Sequence, residues 1–187
     1  MVLQEQSLRP AYDAATVCRD TVPYLDILVQ LIRDNSPNTM IQFYDTWGRP
    51  HGSSEECSAG LDQFCHFSSM QTALTQSYTQ FACLKAVATV APVGEAFRYI
   101  HDNNNNNFFL SLYDNNGGDH HASALGSYLS AATHYAAMMN TSVVGNTALA
   151  GLDADLARRM QEAATETWFS RDWVSDQHCQ ECLCGCN

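Results

Sequence analysis

Two hydrophobic patterns alternate along this chain: short apolar runs of strand length and longer segments with helical spacing. Strands are predicted near residues 2–6, 39–45 and 86–91, around the apolar segments Val2-Leu3, Met40–Tyr44 and Val87–Pro92. Between them, apolar residues such as Met70, Leu74 and Tyr78 recur every three to four positions, which is the spacing of one helix face. Strands that alternate with helices are typical of a parallel sheet covered by helices on both faces. The pattern therefore predicts an α/β fold in which the three strands are adjacent and parallel.

A further helix is predicted to begin at Asp20 or Thr21, either of which can cap it. Pro23 then falls in the first turn, where the missing N–H of proline is tolerated. The apolar residues of this helix fall on one face: Leu25, Leu28, Leu31 and Ile32. The turn signal Asn35-Ser36-Pro37-Asn38 is expected to end the helix.

The composition excludes several classes of protein. Hydrophobic residues make up 45% of the 187 residues, which is ordinary for a folded domain, so the chain is not predicted to be disordered. The net charge of -11 would repel a phosphate backbone, so we expect no nucleic-acid partner. No apolar run approaches the ~20 residues of a membrane-spanning helix, so we expect no membrane span.

Cysteine usage indicates an oxidising compartment. The count of 8 cysteines is even, and in a loop-rich acidic chain this favours disulfides and a secreted or lumenal protein. Cys57 and Cys65 lie in one loop and are predicted to form a disulfide. Residues 1–5 show neither the basic start nor the apolar stretch of a signal peptide. We therefore hypothesise that Met1 is an internal methionine or the start of a truncated gene model.

The chain is predicted to form one α/β domain over residues 1–170, followed by a Cys-rich tail over residues 171–187. The tail carries the potential metal ligands His178, Cys179, Cys182, Cys184 and Cys186. This set is chemically suited to zinc or copper(I). Structural zinc sites usually draw ligand pairs from separated segments, however, so we expect the tail cysteines to pair among themselves or to stay disordered. We assign no metal and no cofactor.

Four motifs occur in an order that resembles one known family. They are Leu3-Gln4-Glu5-Gln6-Ser7, Trp47-Gly48-Arg49-Pro50, Ala91-Pro92-Val93-Gly94-Glu95-Ala96, and His121 followed by Gly126-Ser127-Tyr128-Leu129. Together they resemble the SGNH (GDSL-type) hydrolase superfamily over residues 2–145. The resemblance implies a three-layer α/β/α, flavodoxin-like fold with a parallel sheet, and hydrolysis of esters by a serine nucleophile.

The chain departs from the family pattern at three places. The Ser-bearing first strand and the Gly segment of the family are absent, so the sheet is expected to be incomplete at its N-terminal end. Glu5-Gln6-Ser7 stands where the family has Gly-x-Asn-Asp, so a Gln amide would replace the Asn. The late Asp-x-x-His motif is irregular, because Gly118 lies three residues before His121, with Asp114 and Asp119 nearby.

The resemblance implies that His121 is the general base, which takes a proton from a serine hydroxyl. Asp119 is the candidate carboxylate that orients the ring of His121. Two other interpretations stay open for this segment. His121 can be an ordinary loop histidine in a polar tract. Alternatively, Asp119, His120 and His121 together have ligand types that suit zinc or iron.

Gln4, Gln6 and Arg49 are the candidate oxyanion-binding and substrate-binding residues. Gln4 and Gln6 alternate along a strand end, so they point to opposite faces and one of them can donate an N–H to an oxyanion. Both are also ordinary polar residues for a strand end. Arg49 can bind a substrate carboxylate or sulfate, or it can brace its loop through carbonyl groups. Glu95, after Pro92, is expected to cap the next helix.

The leading hypothesis is therefore an SGNH-type serine esterase that acts on acyl or acetyl esters, with acylated carbohydrates among the candidate substrates. Because the chain lacks the expected nucleophile, residues 1–187 alone are predicted to have little or no esterase activity. The alternative is a catalytically inactive binding or structural module of the same fold, with carbohydrate as a candidate ligand. The strand at residues 2–6 is expected to be an exposed edge through which copies of the chain can associate.

Overall fold

A parallel sheet of three strands lies at the centre of the part of the chain that the structure, a computed structural model, describes: residues 1–85 and 88–172. The strands are β1 (Val2–Leu3), β2 (Ile41–Tyr44) and β3 (Ala88–Ala91). β2 is the middle strand, with Val2 opposite Gln42 on one side and Phe43 opposite Val90 on the other. The predicted adjacent and parallel arrangement is confirmed, although each strand is shorter than the range predicted for it.

Helices connect the strands and follow them. Those of the described residues are α1 (Ala14–Asp20), α2 (Val22–Asn35), α3 (Ser54–Ser58), α4 (Phe67–Lys85), α5 (Val93–Asn103), α6 (Asn106–Leu110), α7 (Ala124–Met139) and α8 (Ala154–Ser170). Single 3₁₀ turns occur at Arg9–Ala11 and Asp62–Phe64, and Asp114–Gly117 forms a tight turn with left-handed backbone. Among the described helices, none combines the length and the hydropathy that crossing a membrane would need.

The two faces of the sheet are covered by different helices. Phe43 of β2 packs edge-on against Phe81 of α4, with ring centroids 6.1 Å apart. The next residue, Tyr44, points to the opposite face and meets His134 of α7 at 4.3 Å. Successive residues of a strand point to opposite faces, so one strand contributes to two helix layers. The predicted three-layer α/β/α, flavodoxin-like fold is thus present.

The apolar stripe of α4 is fully buried, as its spacing indicates. Met70, Leu74, Tyr78 and Phe81 are each at most 2% exposed. The hydroxyl of Tyr78 accepts a hydrogen bond from the backbone N–H of Glu5 at 3.1 Å, which ties the segment after β1 to this helix.

The apolar face of α2 is mostly open. Leu25 is buried, whereas Leu28 and Leu31 are 46% and 58% exposed. This helix lies beside β1, because Leu3 and Leu28 line one small cleft. Among the described residues, no strand pairs with the outer edge of β1. The spacing of the apolar residues therefore predicted α2 correctly. Whether its apolar face is buried depends on the groups that pack at the outer edge of β1.

Cys57 and Cys65 form the predicted disulfide, with their Cα atoms 4.8 Å apart. Cys57 belongs to α3 and Cys65 lies just before α4, so the bond closes the segment between β2 and α4. The predictions for the tail lie outside the described residues: His178, Cys179, Cys182, Cys184 and Cys186.

Candidate functional site

The loop between α6 and α7 carries the predicted base His121 and the neighbouring Asp119. An antiparallel bridge between Tyr113 and Ala122 closes this loop at its base. Within the loop, the N–H of Asp114 donates to the carbonyl of His121 at 2.9 Å. Backbone contacts therefore hold the segment in one position.

Three consecutive residues in the left-handed region form the tip of the loop. Asn115, Asn116 and Gly117 have φ values of 53°, 50° and 89°. Asn tolerates this region better than most residues and Gly adopts it freely, so the local sequence suits the turn. A Cβ atom on Gly117 would also lie 2.6 Å from Leu110 Cδ2. The loop sequence thus accounts for the turn that precedes Asp119.

Asp119 lies between two imidazole rings. Its Oδ1 atom is 2.9 Å from His121 Nδ1 and 3.4 Å from His120 Nδ1. The same oxygen accepts the backbone N–H of His121 at 3.1 Å. The side chain of His121 is 69% exposed, so the ring faces solvent. The structure therefore brings the two candidate catalytic residues into direct contact.

The charges of this cluster follow from its contacts. The backbone N–H of His121 lowers the pKa of Asp119, so the carboxylate is ionised at neutral pH. Partial burial lowers the pKa of His120, and the nearby Arg49 guanidinium lowers it further. At neutral pH the cluster accordingly combines one negative carboxylate with a neutral ring at His120.

A tryptophan joins this loop to the sheet. Trp47, three residues after β2, donates its indole N–H to the carbonyl of His120 at 2.9 Å. The indole ring is stacked on Phe97 of α5 with centroids 4.9 Å apart. Asp119 and its neighbours therefore lie beyond the carboxyl end of β2, the edge at which open α/β sheets place ligands.

An open cavity of about 410 Å³ lies beside the cluster. Its lining residues come from the loop after β2 and the loop before α7: Arg49, Pro50, His51, Gly52, Gly117, Gly118, Asp119 and His120. Arg49 donates to Ser53 Oγ at 3.0 Å and faces the cavity as well. Arg49 thus braces its own loop and also borders the space in front of Asp119.

Gln4 and Gln6 lie elsewhere. Gln4 lines the small apolar cleft between β1 and α2. The Gln6 amide is engaged within its own turn, because it accepts the N–H of Leu8 at 3.1 Å and donates to Ser7 Oγ at 3.3 Å. Neither glutamine lines the cavity beside Asp119.

The nearby serine hydroxyls have structural partners. Ser123 Oγ donates to the carbonyl of Ser111 at 2.7 Å and accepts the N–H of Gly126, which caps α7. Ser53 Oγ lies between Arg49 and Glu56. Among residues 1–85 and 88–172, no serine hydroxyl forms a hydrogen bond to His121.

A second acidic centre, which was not predicted as a site from the sequence, surrounds Asp45, the residue directly after β2. Its side chain is fully buried. Gln71 Nε2 donates to one carboxyl oxygen at 3.3 Å, and Thr75 Oγ1 lies 3.0 Å from the other. Thr75 Oγ1 is also 2.6 Å from Glu95 Oε1, so one hydroxyl joins two carboxyl groups.

This centre has to hold a proton. The Thr75 hydroxyl has a single hydrogen and donates to only one carboxyl, so the other carboxyl must itself be the donor. Burial, and then the charge of Glu95, raise the pKa of Asp45 well above its usual range. Burial also raises the pKa of Glu95, but Arg98 at 3.2 Å favours the charged form of that group. The proton therefore belongs on Asp45.

Glu95 has a different role from the helix cap that its position suggested. It lies in the first turn of α5, but its carboxylate contacts Thr75 and Arg98, and no side chain caps the helix at Pro92. One sequence signal points to this centre. Asp45 directly follows the apolar segment Met40–Tyr44, at the end of a predicted strand where a parallel sheet gathers polar groups.

Comparison with known proteins gives one structural likeness. No protein-family model matches the chain, and no curated protein has a sequence that matches it. The crystal structure of a DUF4886 family protein from Bacteroides uniformis ATCC 8492 is similar, with a TM-score of 0.72 and 20% sequence identity. The match covers 94% of this chain and 64% of that chain, so the chain spans less than two thirds of its neighbour's length. At this identity, what the two proteins share is the fold.

Proposed function

We propose that this protein is an SGNH-type ester hydrolase in which His121 is the general base and Asp119 orients its ring. One observation carries the proposal: the 2.9 Å contact between Asp119 and His121 Nδ1, in which Asp119 lines an open cavity beyond the carboxyl end of β2 and the exposed His121 lies next to that lining. A carboxylate on Nδ1 holds the hydrogen there and leaves Nε2 free to accept a proton. No protein group among the described residues forms a hydrogen bond to His121 Nε2.

The reaction begins with proton transfer to His121. Nε2 accepts the hydrogen of a serine hydroxyl as the serine oxygen attacks the ester carbonyl. The resulting imidazolium gives this proton to the departing alcohol, and an acyl-enzyme remains. Water then loses a proton to His121 and attacks the acyl group, which releases the acid and the free serine. The ionised Asp119 stabilises the imidazolium in both steps.

The serine is proposed to come from a strand that pairs with the outer edge of β1. The serine hydroxyls beside the cavity already serve in a helix cap and in the Arg49 loop. In a parallel sheet, a strand added at that edge ends at the same side as β1 and β2, which is the side of the cavity. This position is consistent with the missing Ser-bearing strand of the resembled family.

Small polar esters are the proposed substrates. The cavity is open, and its walls carry Arg49, His51, Asp119 and His120 rather than a tunnel of apolar side chains. Such walls suit acetyl or short acyl groups on a polar carrier, including acylated carbohydrates, better than long lipid chains. Arg49 is then available for a carboxylate or sulfate on the carrier.

The test uses the protein extended at its N-terminus by the upstream coding sequence, next to residues 1–187 alone. We expect hydrolysis of p-nitrophenyl acetate and acetylated xylan by the extended protein and little by the short one. His121→Ala should lower kcat/KM of the extended protein by about 10³-fold or more. His66→Ala is the matched control, because His66 is also exposed and does not line the cavity.

Ester hydrolysis that survives His121→Ala in either protein would contradict this function. The second candidate is a catalytically inactive module that binds carbohydrate. It is favoured by the absence of a serine partner for His121 among the described residues. Binding of acetylated oligosaccharides without turnover, in the extended protein, would support that alternative.

An oxidising compartment is the proposed location. The Cys57–Cys65 disulfide supports it, because such bonds are rare in reducing compartments. Secretion assays with a fused reporter on the extended protein test this location directly.

A further inference from the structure

We propose that Asp119, His120 and His121 also form a binding site for one divalent transition-metal ion, of which Zn²⁺ is the reference. The three side chains offer one carboxylate and two imidazoles, and their ligand atoms all lie within 4.8 Å of one another. Imidazole ligands suit zinc, copper and nickel, whereas calcium and magnesium take sites made of oxygen atoms.

The distances fit a tetrahedral ion. Bonds of about 2.0–2.2 Å to nitrogen and oxygen place two tetrahedral ligand atoms about 3.3 Å apart. Asp119 Oδ1 is 2.9 Å from His121 Nδ1 and 3.4 Å from His120 Nδ1. Two edges of the tetrahedron are thus close to their final length. The third edge, between the two rings, has to come to a similar length from a separation of at most 4.8 Å when the ion binds.

The surroundings of the cluster favour an ion as well. The Trp47 indole holds the carbonyl of His120, and the N–H of Asp114 holds that of His121, so the backbone of both ligands is fixed. The cavity in front of Asp119 and His120 leaves room for a water molecule as the fourth ligand.

Among the described residues that line this cavity, Arg49 is the cationic side chain that opposes a metal ion. Its guanidinium is engaged with Ser53 at 3.0 Å, and Ser53 in turn donates to Glu56. The Glu56 carboxylate, which reaches Arg49 through Ser53, offsets part of the positive charge of Arg49.

Occupation of the site would switch off the proposed base, a consequence that rests on the proposed function. A neutral imidazole has one N–H. When Nδ1 of His121 binds a metal ion, its hydrogen moves to Nε2, which then cannot accept a proton from a nucleophile. Zn²⁺ is thus expected to act as a reversible inhibitor, and chelation should restore activity.

The binding test needs no ester substrate. Residues 1–187 are titrated with ZnCl₂ by calorimetry, with His120→Ala/His121→Ala as the variant and His66→Ala as the control. We expect the double variant to bind one Zn²⁺ fewer than the wild type, and each single variant to bind at least about tenfold more weakly. The wild type and all variants share the potential ligands in residues 173–187, so Zn²⁺ bound by the tail does not contribute to the difference between them.

Equal Zn²⁺ number and affinity in wild type and double variant would overturn the metal site. If the double variant does not fold, imidazole ¹⁵N resonances of the wild type provide the decision. Zn²⁺ should shift Nδ1 of His120 and His121, and unchanged resonances would contradict binding there. Zn²⁺ that binds without inhibiting an active extended protein would leave the metal site intact and count against His121 as base.

Discussion

Two acidic centres lie just beyond the carboxyl end of β2, and their surroundings are opposite. Asp45 is fully buried, and its oxygen atoms contact Gln71 and Thr75. Asp119 contacts two imidazole rings, and its side chain is 36% exposed at the edge of a cavity. Both carboxyl groups occupy an edge of the sheet where function is expected, so their position alone does not distinguish them.

The contrast shows what separates a structural acid from a candidate catalytic one. A charge is costly to bury, so Asp45 keeps a proton and has protein partners for its oxygen atoms. Its direct partners, Gln71 and Thr75, belong to α4, and Thr75 also contacts Glu95 of α5. The centre therefore joins the loop after β2 to two helices. In the Asp119 cluster, the His121 side chain is exposed to solvent. Its Nε2 atom is therefore accessible to a substrate or a ligand.

The largest expected difference between the centres is in catalysis. In the extended protein, we expect Asp119→Asn to lower kcat/KM by about 10²-fold or more, because the amide cannot hold the productive tautomer of His121. The thermal midpoint of unfolding should not change measurably, since Asp119 lies at the surface. An unchanged kcat/KM would show that Asp119 does not orient the base.

The next largest difference between the two centres should be the loss of stability when a Cβ atom is added to a nearby glycine. A Cβ atom on Gly94 would lie 2.3 Å from the carbonyl oxygen of Thr46 and 2.0 Å from Gln71 Nε2, next to Asp45. At the open centre, a Cβ atom on Gly118 would come no closer than 3.3 Å to Asn115.

We therefore expect Gly94→Ala to lower the free energy of unfolding by about 2–3 kcal/mol. Gly118→Ala should change it by less than about 1 kcal/mol. Urea denaturation of the two variants measures both values. Similar losses in both would mean that the buried centre is not more tightly packed than the open one.

The smallest expected difference is in how the free energy of unfolding depends on pH. The folded pKa of Asp45 is raised above its ordinary value of 3.8, so the folded chain keeps a proton that the unfolded chain releases. Its contribution to stability is complete below about pH 3.8 and is lost as the pH rises through the folded pKa, by up to about 1.4 kcal/mol per pH unit.

Asp45→Asn removes this dependence, because the amide can donate to Thr75 at every pH. Its free energy of unfolding should therefore fall less than that of the wild type as the pH rises above the ordinary Asp pKa of 3.8. Urea denaturation across this range measures the slopes. Parallel slopes would show that Asp45 is not the group that holds the proton.

Local patterns in the sequence predicted much of the fold. The spacing of Met70, Leu74, Tyr78 and Phe81 predicted α4 and its buried face, and the apolar runs predicted the parallel strands. The same reasoning identified the face of α2 but not its exposure. Whether an apolar stripe is covered depends on neighbours at the sheet edge, and residue spacing carries no information on these.

The candidate site was only partly visible in the sequence. The motif that ends in His121 predicts a base there only through the family resemblance, and its irregular spacing leaves the carboxylate open between Asp114 and Asp119. In the structure, Asp119 follows the left-handed turn at Asn115, Asn116 and Gly117, and its Oδ1 atom lies 2.9 Å from His121 Nδ1. Gln4 and Gln6 share the resembled motif, yet they lie away from the cavity.

By itself, the sequence determined the features that depend on nearby residues: helix and strand periodicity, the Cys57–Cys65 disulfide, and the absence of a long apolar helix among the described residues. Only the tertiary structure decided which distant groups meet. Asp45, Thr75 and Glu95 come from a loop and two helices, and Trp47 reaches His120 across 73 positions of the chain. Such contacts depend on how strands and helices pack in space, and that information is not contained in any local stretch of residues.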